Sequence, residues 1–220
     1  QGKNTLTVRN GVVLNGYRSS PDRQLIRAEF GIAEHEKVVM TVANFRKVKN
    51  HLFLLRAFKE LVNELKSVKL LLVGQGVDGD PENSEKEVRG YVEEYGLHEK
   101  VFLTGHRNDV RDLLSIADVF CLTSLREGLP ISMLEAMSTG LPVVGTNVPG
   151  IRDVIIQQRN GLLVDLGDHI SLKKAIYDIL KNEDLRLKYG RESRRIVEEL
   201  YSMNQCVDRY AALFMRMSKK

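Results

Sequence analysis

The chain has 220 residues, of which 43% are hydrophobic and 28% are charged, so it can bury a sizeable core. This balance excludes a chain that is disordered in its main state. The net charge is +4 without a clustered run of Lys or Arg, which argues against a nucleic-acid partner, and no apolar stretch approaches the roughly 20 residues of a membrane-spanning helix.

In chain order, a polar lead-in precedes an alternation of apolar and amphipathic segments. Residues 1–10 are polar and lack an initiator Met, so we expect a piece of a longer protein. Residues 38–43 form an uncharged β-branched run, as expected for a strand buried on both faces. Apolar residues at spacings of three and four over residues 52–65 predict an amphipathic helix, and residues 69–73 predict the next strand.

The same alternation continues to the C-terminus. Ser84 and Glu87 are interpreted as a capping box that opens a helix towards residue 95, and Gly96 suits its end. The later predicted elements are strand 101–103, helix 110–116, strand 119–122, helix 131–138, strands 143–145 and 162–164, and two or three helices that include 203–217. Such alternation predicts an α/β fold with a doubly wound, parallel, Rossmann-like sheet. Ligands of such sheets bind outside the carboxyl ends of the strands.

The segment 123–130 is the most informative one because it follows a predicted strand and opens a predicted helix. Pro130 suits the first helical position, since its missing N–H would have no helical partner there. Gly128 permits a close approach of the backbone, and the free N–H groups of a helix start favour phosphate. The carboxylate of Glu135 could accept from two ribose hydroxyls, and Glu127 stands where an attached sugar would lie. A solvent-facing Glu135 and a backbone-capping Glu127 fit the spacing equally well.

Several linked motifs, which follow each other along the chain in the family's order, resemble the signature of retaining glycosyltransferases with two Rossmann-like domains (the GT-B architecture). The resemblance is greatest to the family 4 group. The motifs are 127–130 with Glu135, 140–144, 13–16, 105–109 with 117–118, 148–150 and 160–164. The resemblance implies the C-terminal, nucleotide-sugar-binding half of such an enzyme. Residues 1–17 would then be an interdomain segment, 18–200 the donor-binding domain, and 201–220 a helix that packs on a separate N-terminal domain.

The resemblance also implies roles for individual residues. The carboxylate matching Glu135 holds the ribose, the one matching Glu127 contacts the donor sugar, and the backbone at 128–129 holds sugar hydroxyls or phosphate. The segment matching His106 and Arg107 lies beside the base. The implied catalytic residues are Glu127, Lys49 and Arg46, and the implied donor-binding residues are Asn44, His106, Arg107, Gly128, Leu129, Pro130 and Glu135.

One departure from the family pattern affects the diphosphate site. The family places an Arg and, five residues later, a Lys after the first strand of this domain. Lys49 matches the Lys, but Asn44 occupies the Arg position, and Arg46 stands two residues on. We predict that Arg46 replaces the missing Arg, since a departing diphosphate gains charge that cations stabilise. The alternative is that Arg46 faces solvent and Lys49 acts alone.

Other motifs were weighed against this interpretation. Residues 74–79 fit the dinucleotide fingerprint G-x-G-x-x-G, but residues 80–83 interrupt the helix that this fingerprint must open, which disfavours NAD. Asp78 and Asp80 could hold a metal, although a polar turn explains them better. The five histidines form no ligand pair at i, i+3 or i+4, so no metal site is expected. His51, next to Lys49, could contact phosphate, but a surface imidazole is the preferred interpretation.

We therefore expect a retaining glycosyltransferase domain that binds a UDP- or GDP-sugar, needs no cofactor, and serves polysaccharide or glycoconjugate biosynthesis. The acceptor (a glycan, a lipid or a small molecule) would bind mainly to the N-terminal domain, so the isolated chain should bind donor without transferring it. A nucleotide-sugar epimerase or hydrolase, and a non-catalytic binding module, remain alternatives. Cys121 and Cys206 are interpreted as buried thiols of a reducing compartment. This favours a cytoplasmic protein, with peripheral contact at the inner face of a membrane as a further option.

Overall fold

A computed structural model describes residues 8, 10–14 and 23–218. The elements are α1 (Arg23–Glu29), β1 (Lys37–Val42), a 3-10 turn (Lys47–Lys49), α2 (His51–Glu64), β2 (Val68–Val73), α3 (Glu85–Glu94), β3 (Val101–Gly105), α4 (Val110–Ile116), β4 (Val119–Leu122), α5 (Ile131–Ser138), β5 (Val143–Thr146), β6 (Gly161–Val164), α6 (His169–Lys181), α7 (Glu183–Leu200) and α8 (Met203–Met217). The predicted strands and helices are all present, with ends within two residues of the expected ones. Helix α1 and the 3-10 turn were not predicted.

The strands form one parallel sheet in the order β3-β2-β1-β4-β5-β6. The order reverses at β1, which pairs with β2 on one side and with β4 on the other. Helices α2 and α5, which follow the loops after β1 and β4, then pack on opposite faces of the sheet. A crevice at this switch point is where a doubly wound sheet binds its ligand.

The core lies in two layers, one on each face of the sheet. Side chains of β1 alternate between them: Val38 and Met40 face one layer and Val39 faces the other, and all three are fully buried. Helices α4 and α5 with the end of α7 cover the first layer, whereas α2, α3 and α6 cover the second. Burial on both faces explains why the strands are nearly continuous apolar runs rather than alternating patterns. The predicted Rossmann-like fold is confirmed.

Two predictions about helix ends need correction. Ser84 precedes α3, but its side chain makes no capping hydrogen bond, and Asn83 Oδ1 instead accepts from Glu85 N at 2.9 Å. The predicted capping box is therefore wrong, since Ser84 is buried and its amide donates to the Phe45 carbonyl at 2.8 Å. Pro130 lies immediately before α5 rather than inside it.

The lead-in and the last helix meet at one point. Most of the predicted segment 1–17 lies outside the described residues, including half of the motif 13–16. Val12 is buried beside the start of α8, where its amide donates to the Tyr201 carbonyl and its carbonyl accepts from Met203 N. Both cysteines are buried and unpaired, as expected, and burial raises the pKa of Cys121. No helix within the described ranges has the length and apolarity needed to cross a bilayer.

Candidate functional site

The loops that follow β1 and β4 are joined at the carboxyl edge of the sheet. Leu125 N donates to the Val48 carbonyl at 2.8 Å, and the buried Thr123 hydroxyl donates to the Asn50 carbonyl at 3.1 Å. Asn50 has a left-handed φ of 53°, which ends the 3-10 turn and starts α2. The segment that carries Lys49 is therefore held against the segment that carries Glu127.

Lys49 and Glu127 form an ion pair across this junction. Lys49 Nζ donates to Glu127 Oε1 at 2.7 Å, and the side chains are 23% and 10% exposed. The Ser124 hydroxyl donates to the same oxygen at 2.6 Å. The structure thus brings two predicted catalytic residues into direct contact, although they were expected to bind different parts of a ligand.

A cleft of about 510 Å³ opens at this pair, within the usual size range of ligand sites. Its lining residues are Asn44, Arg46, Val48, Lys49, Arg126, Glu127 and Gly128. Five of the predicted site residues are therefore gathered in one place. Arg126 was not predicted and adds a further cation to the lining.

Arg46 lines the cleft but already has a carboxylate partner. Its Nε lies 3.0 Å from Asp80 Oδ2, and its backbone pairs with that of Asn83. The other oxygen of Asp80 accepts from Glu82 N at 2.9 Å. Asp80 is thus committed to Arg46 and to its own turn, which contradicts the dicarboxylate metal alternative. Across the described residues there is no group of three or more His, Cys, Asp or Glu side chains that could hold a metal ion.

The glycine-rich loop 74–79 does not have the geometry of a dinucleotide site. Helix α3 starts only at Glu85, six residues after Gly79. Gly76 N donates to Glu85 Oε2 at 2.7 Å, and this bond is the main reason why the pKa of Glu85 is lowered. The Gly76 amide, which a pyrophosphate would need, therefore already donates to the Glu85 carboxylate.

A second cleft, of about 520 Å³, lies at the start of α4. Its lining residues are Arg107, Asn108, Asp109, Val110, Arg111, Asp112 and Glu135. Glu135 is half-buried on α5, so a predicted ribose ligand and part of a predicted base-binding segment share one cleft. The Arg107 guanidinium binds Asp109 at 2.6 Å and Glu29 at 2.5 Å, and these two partners raise the pKa of Arg107. The Arg107 side chain is therefore held in one position at the side of this cleft. His106 is exposed, with Nε2 3.2 Å from Asn108 Oδ1, and it lines neither cleft.

The start of α5 lies beside the first cleft. The Pro130 carbonyl accepts from Met133 N and Leu134 N at 3.1 Å each, so the helical hydrogen bonds begin at this residue. Leu129 is half-buried and packs against the core beneath the helix. The two predicted residues thus fix where α5 begins, next to Gly128 in the cleft lining.

Sequence reasoning missed three residues that support Glu127. Ser124 binds its carboxylate, and Thr146 donates to the Ser124 carbonyl at 2.6 Å. Gly150, with φ 84°, lies so close that a Cβ atom would be 2.5 Å from the Glu127 carbonyl. The glycine was recognised only as part of a family turn. Gly150 lies in the loop after the neighbouring strand β5, and its positive φ is the reason why glycine is favoured at this position.

His51 lies beneath the same loop and differs from its interpretation as a surface imidazole. It is 3% exposed and meets the Phe45 ring edge-on, with the ring centroids 4.7 Å apart. Burial, followed by the charge of Lys49, lowers the pKa of His51 to about 4. The imidazole is therefore a neutral core group at neutral pH.

Comparison with known proteins identifies the family of sequences that this chain matches. The family model described as "Glycosyl transferases group 1" matches residues 22–196. N-acetyl-alpha-D-glucosaminyl L-malate synthase of Bacillus anthracis is 33% identical over 193 residues, which cover 88% of this chain and 49% of that protein. UDP-Gal:alpha-D-GlcNAc-diphosphoundecaprenol alpha-1,3-galactosyltransferase of Escherichia coli is 28% identical over 211 residues (94% and 53%). The chain spans about half the length of these curated relatives.

Solved structures share the fold. Anabaena HepE in complex with UDP and glucose has a TM-score of 0.88 at 23% identity, over 94% of this chain and 56% of that one. The C-terminal domain of a group 1 family glycosyl transferase from Francisella tularensis has a TM-score of 0.75 at 19% identity, over 88% of this chain and 100% of that one. The described sheet and its helices are thus those of one half of the GT-B architecture.

Proposed function

This chain belongs to the group 1 glycosyl transferases, and from that premise we propose that it is the donor-binding half of a retaining glycosyltransferase. The observation that carries the proposal is the Lys49–Glu127 pair at the mouth of a cleft between β1 and β4. A cation suits a diphosphate, and a neighbouring carboxylate suits the hydroxyls of the sugar attached to it. UDP is the proposed nucleotide, because it is bound in Anabaena HepE and named in the Escherichia coli relative.

We place the diphosphate between Lys49 and Arg46. Each cation is held by a carboxylate in the described structure, Lys49 by Glu127 and Arg46 by Asp80. Phosphate oxygens are anionic acceptors like these carboxylates, so they can take the place of the carboxylates on the two cations. The start of α5 at Pro130 adds a further positive dipole end. These groups supply positive charge for the diphosphate, so we propose that binding needs no metal.

Transfer would break the bond between the anomeric carbon and the diphosphate oxygen. The acceptor hydroxyl would attack from the face that the diphosphate leaves, so the configuration is retained. Its proton would pass to the departing phosphate oxygen, and Lys49 and Arg46 would stabilise the charge that grows there. Glu127 would orient the donor sugar, with the backbone of Gly128 and Leu129 against the sugar or phosphate.

The second cleft would hold the nucleoside. Glu135 lines this cleft, and we propose that it accepts from both ribose hydroxyls, with the paired Arg107 beside the base. We place His106 and Asn44, both exposed, at the outer edges of the base and of the diphosphate.

The acceptor would bind mainly to an N-terminal domain, since the matched relatives are about twice as long as this chain. Helix α8 carries exposed apolar side chains at spacings of three and four, namely Met203, Val207, Tyr210, Phe214 and Met217. We propose that this stripe packs on that domain, because a stripe of this kind is stable only when it is covered.

Calorimetry on the 220-residue chain tests the donor site. UDP should bind more tightly than UMP, and its affinity should fall as salt rises, because the contact is between charges. Lys49→Ala should reduce the preference for UDP. Lys173→Ala is the matched control, since Lys173 is also partly buried and pairs with Glu64 at 2.6 Å, far along the chain from both loops. Equal affinities of the wild-type chain for UDP and UMP would contradict the proposed diphosphate site.

A further inference from the structure

Ser124 is a fully buried polar residue in the loop directly after β4. Its hydroxyl donates to Glu127 Oε1 at 2.6 Å, which makes it the second donor on the oxygen that Lys49 Nζ contacts at 2.7 Å. A hydrogen bond to an ionised acceptor is roughly twice as strong as one between neutral groups.

The Ser124 backbone is itself fixed from both sides. The fully buried Thr146, at the end of β5, donates its hydroxyl to the Ser124 carbonyl at 2.6 Å. The next residue, Leu125, donates its amide to the Val48 carbonyl at 2.8 Å. The hydroxyl therefore projects from a peptide that is tied to β5 and to the loop after β1.

We propose that Ser124 is a positioning residue for Glu127 in glycosyl transfer, an inference that rests on the proposed function. Lys49 must turn towards the diphosphate when the donor binds, and its bond to Glu127 is then weakened or lost. The fully buried Ser124 hydroxyl, whose backbone is fixed, does not follow Lys49 towards the phosphate. It keeps Oε1 in place while Oε2 faces the sugar hydroxyls.

The geometry separates this role from simple bracing of a loop. A brace would bind a backbone carbonyl, as the fully buried Ser193 does when it donates to the Asn160 carbonyl at 3.3 Å. Ser124 instead donates its only side-chain hydrogen bond to the carboxylate of Glu127, which lines the cleft. Losing it frees the rotation of Glu127 without changing the cations that hold the nucleotide.

The test uses the full-length enzyme with a UDP-sugar donor. Ser124→Ala should lower kcat about tenfold or more, the range expected when a hydrogen bond to a charged group is lost. The KM for the UDP-sugar and the Kd for UDP should stay within about twofold of wild type, because the phosphate contacts are intact. Ser193→Ala removes an equally buried hydroxyl and should leave kcat unchanged. A wild-type kcat in Ser124→Ala, or an equal loss in Ser193→Ala, overturns the proposal.

A second pair of variants keeps the test valid if Ser124→Ala does not fold. Ser124→Thr retains the hydroxyl and Ser124→Val has nearly the same shape without it, so the two share any packing strain. Thr should keep a kcat about tenfold above that of Val. Equal rates refute the positioning role. Failure of wild-type protein to bind UDP contradicts the proposed function instead, so the two failures can be told apart.

Discussion

Replacing Glu127 by Gln should strengthen the binding of UDP to this chain. Gln keeps the size of the side chain and can still accept the Ser124 hydrogen bond through its amide oxygen. It removes the negative charge that holds Lys49 Nζ at 2.7 Å. In the wild type, UDP must displace this carboxylate from Lys49 before its own phosphate can take the place. In the variant, Lys49 has no such partner.

The size of the effect follows from the burial of the pair. At a charge separation of about 4 Å and an effective dielectric constant of about 20, the gross attraction is about 4 kcal/mol. Desolvation cancels much of it, and for side chains 23% and 10% exposed we expect a net value of about 1–2 kcal/mol. Removing the competitor should therefore tighten UDP binding roughly 5- to 30-fold, at about 1.4 kcal/mol per tenfold.

The assay is titration calorimetry at low salt on the wild-type chain and on two variants. Glu64→Gln is the control for the loss of a lysine-paired carboxylate, because it breaks the Lys173–Glu64 pair at 2.6 Å and should leave UDP affinity unchanged. UDP binding by Glu127→Gln that is unchanged or weaker would refute the idea that Glu127 competes for Lys49. In full-length protein the same variant should lose transfer activity, since Glu127 would no longer orient the sugar.

Three further outcomes are expected. Gly150→Ala should lower the UDP affinity and the Tm of the chain more than Gly167→Ala. The two glycines have similar φ values (84° and 86°), but only at Gly150 would the new Cβ lie 2.5 Å from the Glu127 carbonyl. Equal losses in the two variants would show that the Glu127 loop is not displaced. The pKa of His51 falls from 6.5 unfolded to about 4 folded, so the unfolded state takes up the proton first and stability is lost as pH falls through this window. Between pH 7 and pH 5 the wild type should lose about 2 kcal/mol more than His51→Asn in urea unfolding, and parallel losses would contradict a buried neutral imidazole. Glu135→Ala should weaken UDP binding by about 1–3 kcal/mol in calorimetry, and an unchanged Kd would remove its ribose role.

The sequence by itself determined the elements and the fold class. Strand and helix periodicities are local properties, so the runs at 38–43, 119–122 and 131–138 predicted strands and a helix that the structure contains. A loop between a buried strand and a helix start also predicted where a ligand should lie. The individual roles of Glu127, Lys49 and Glu135 came from the family resemblance and stay predictions.

Local patterns failed where another segment supplied the partner. Ser84 looks like a helix cap in sequence, but its amide is taken by the Phe45 carbonyl of a distant loop. His51 looks like a surface residue beside Lys49, but the Phe45 ring covers it. The partner of Ser84 lies in a segment that only folding brings near, whereas Phe45 is close to His51 in sequence and covers it across the 3-10 turn.

Only the tertiary structure decided which site residues touch each other. Lys49 and Glu127 are 78 positions apart, and they meet because β4 pairs with β1 at the point where the strand order reverses. Arg46 pairs with Asp80 in the same way, because Asp80 lies in the loop after β2 and β2 is a neighbour of β1. Strand order depends on how whole layers of helices cover both faces of the sheet, and no local pattern encodes it. Most residues of the cleft can therefore be named from the sequence and the family resemblance, whereas their pairing into ion pairs is a property of the packed fold.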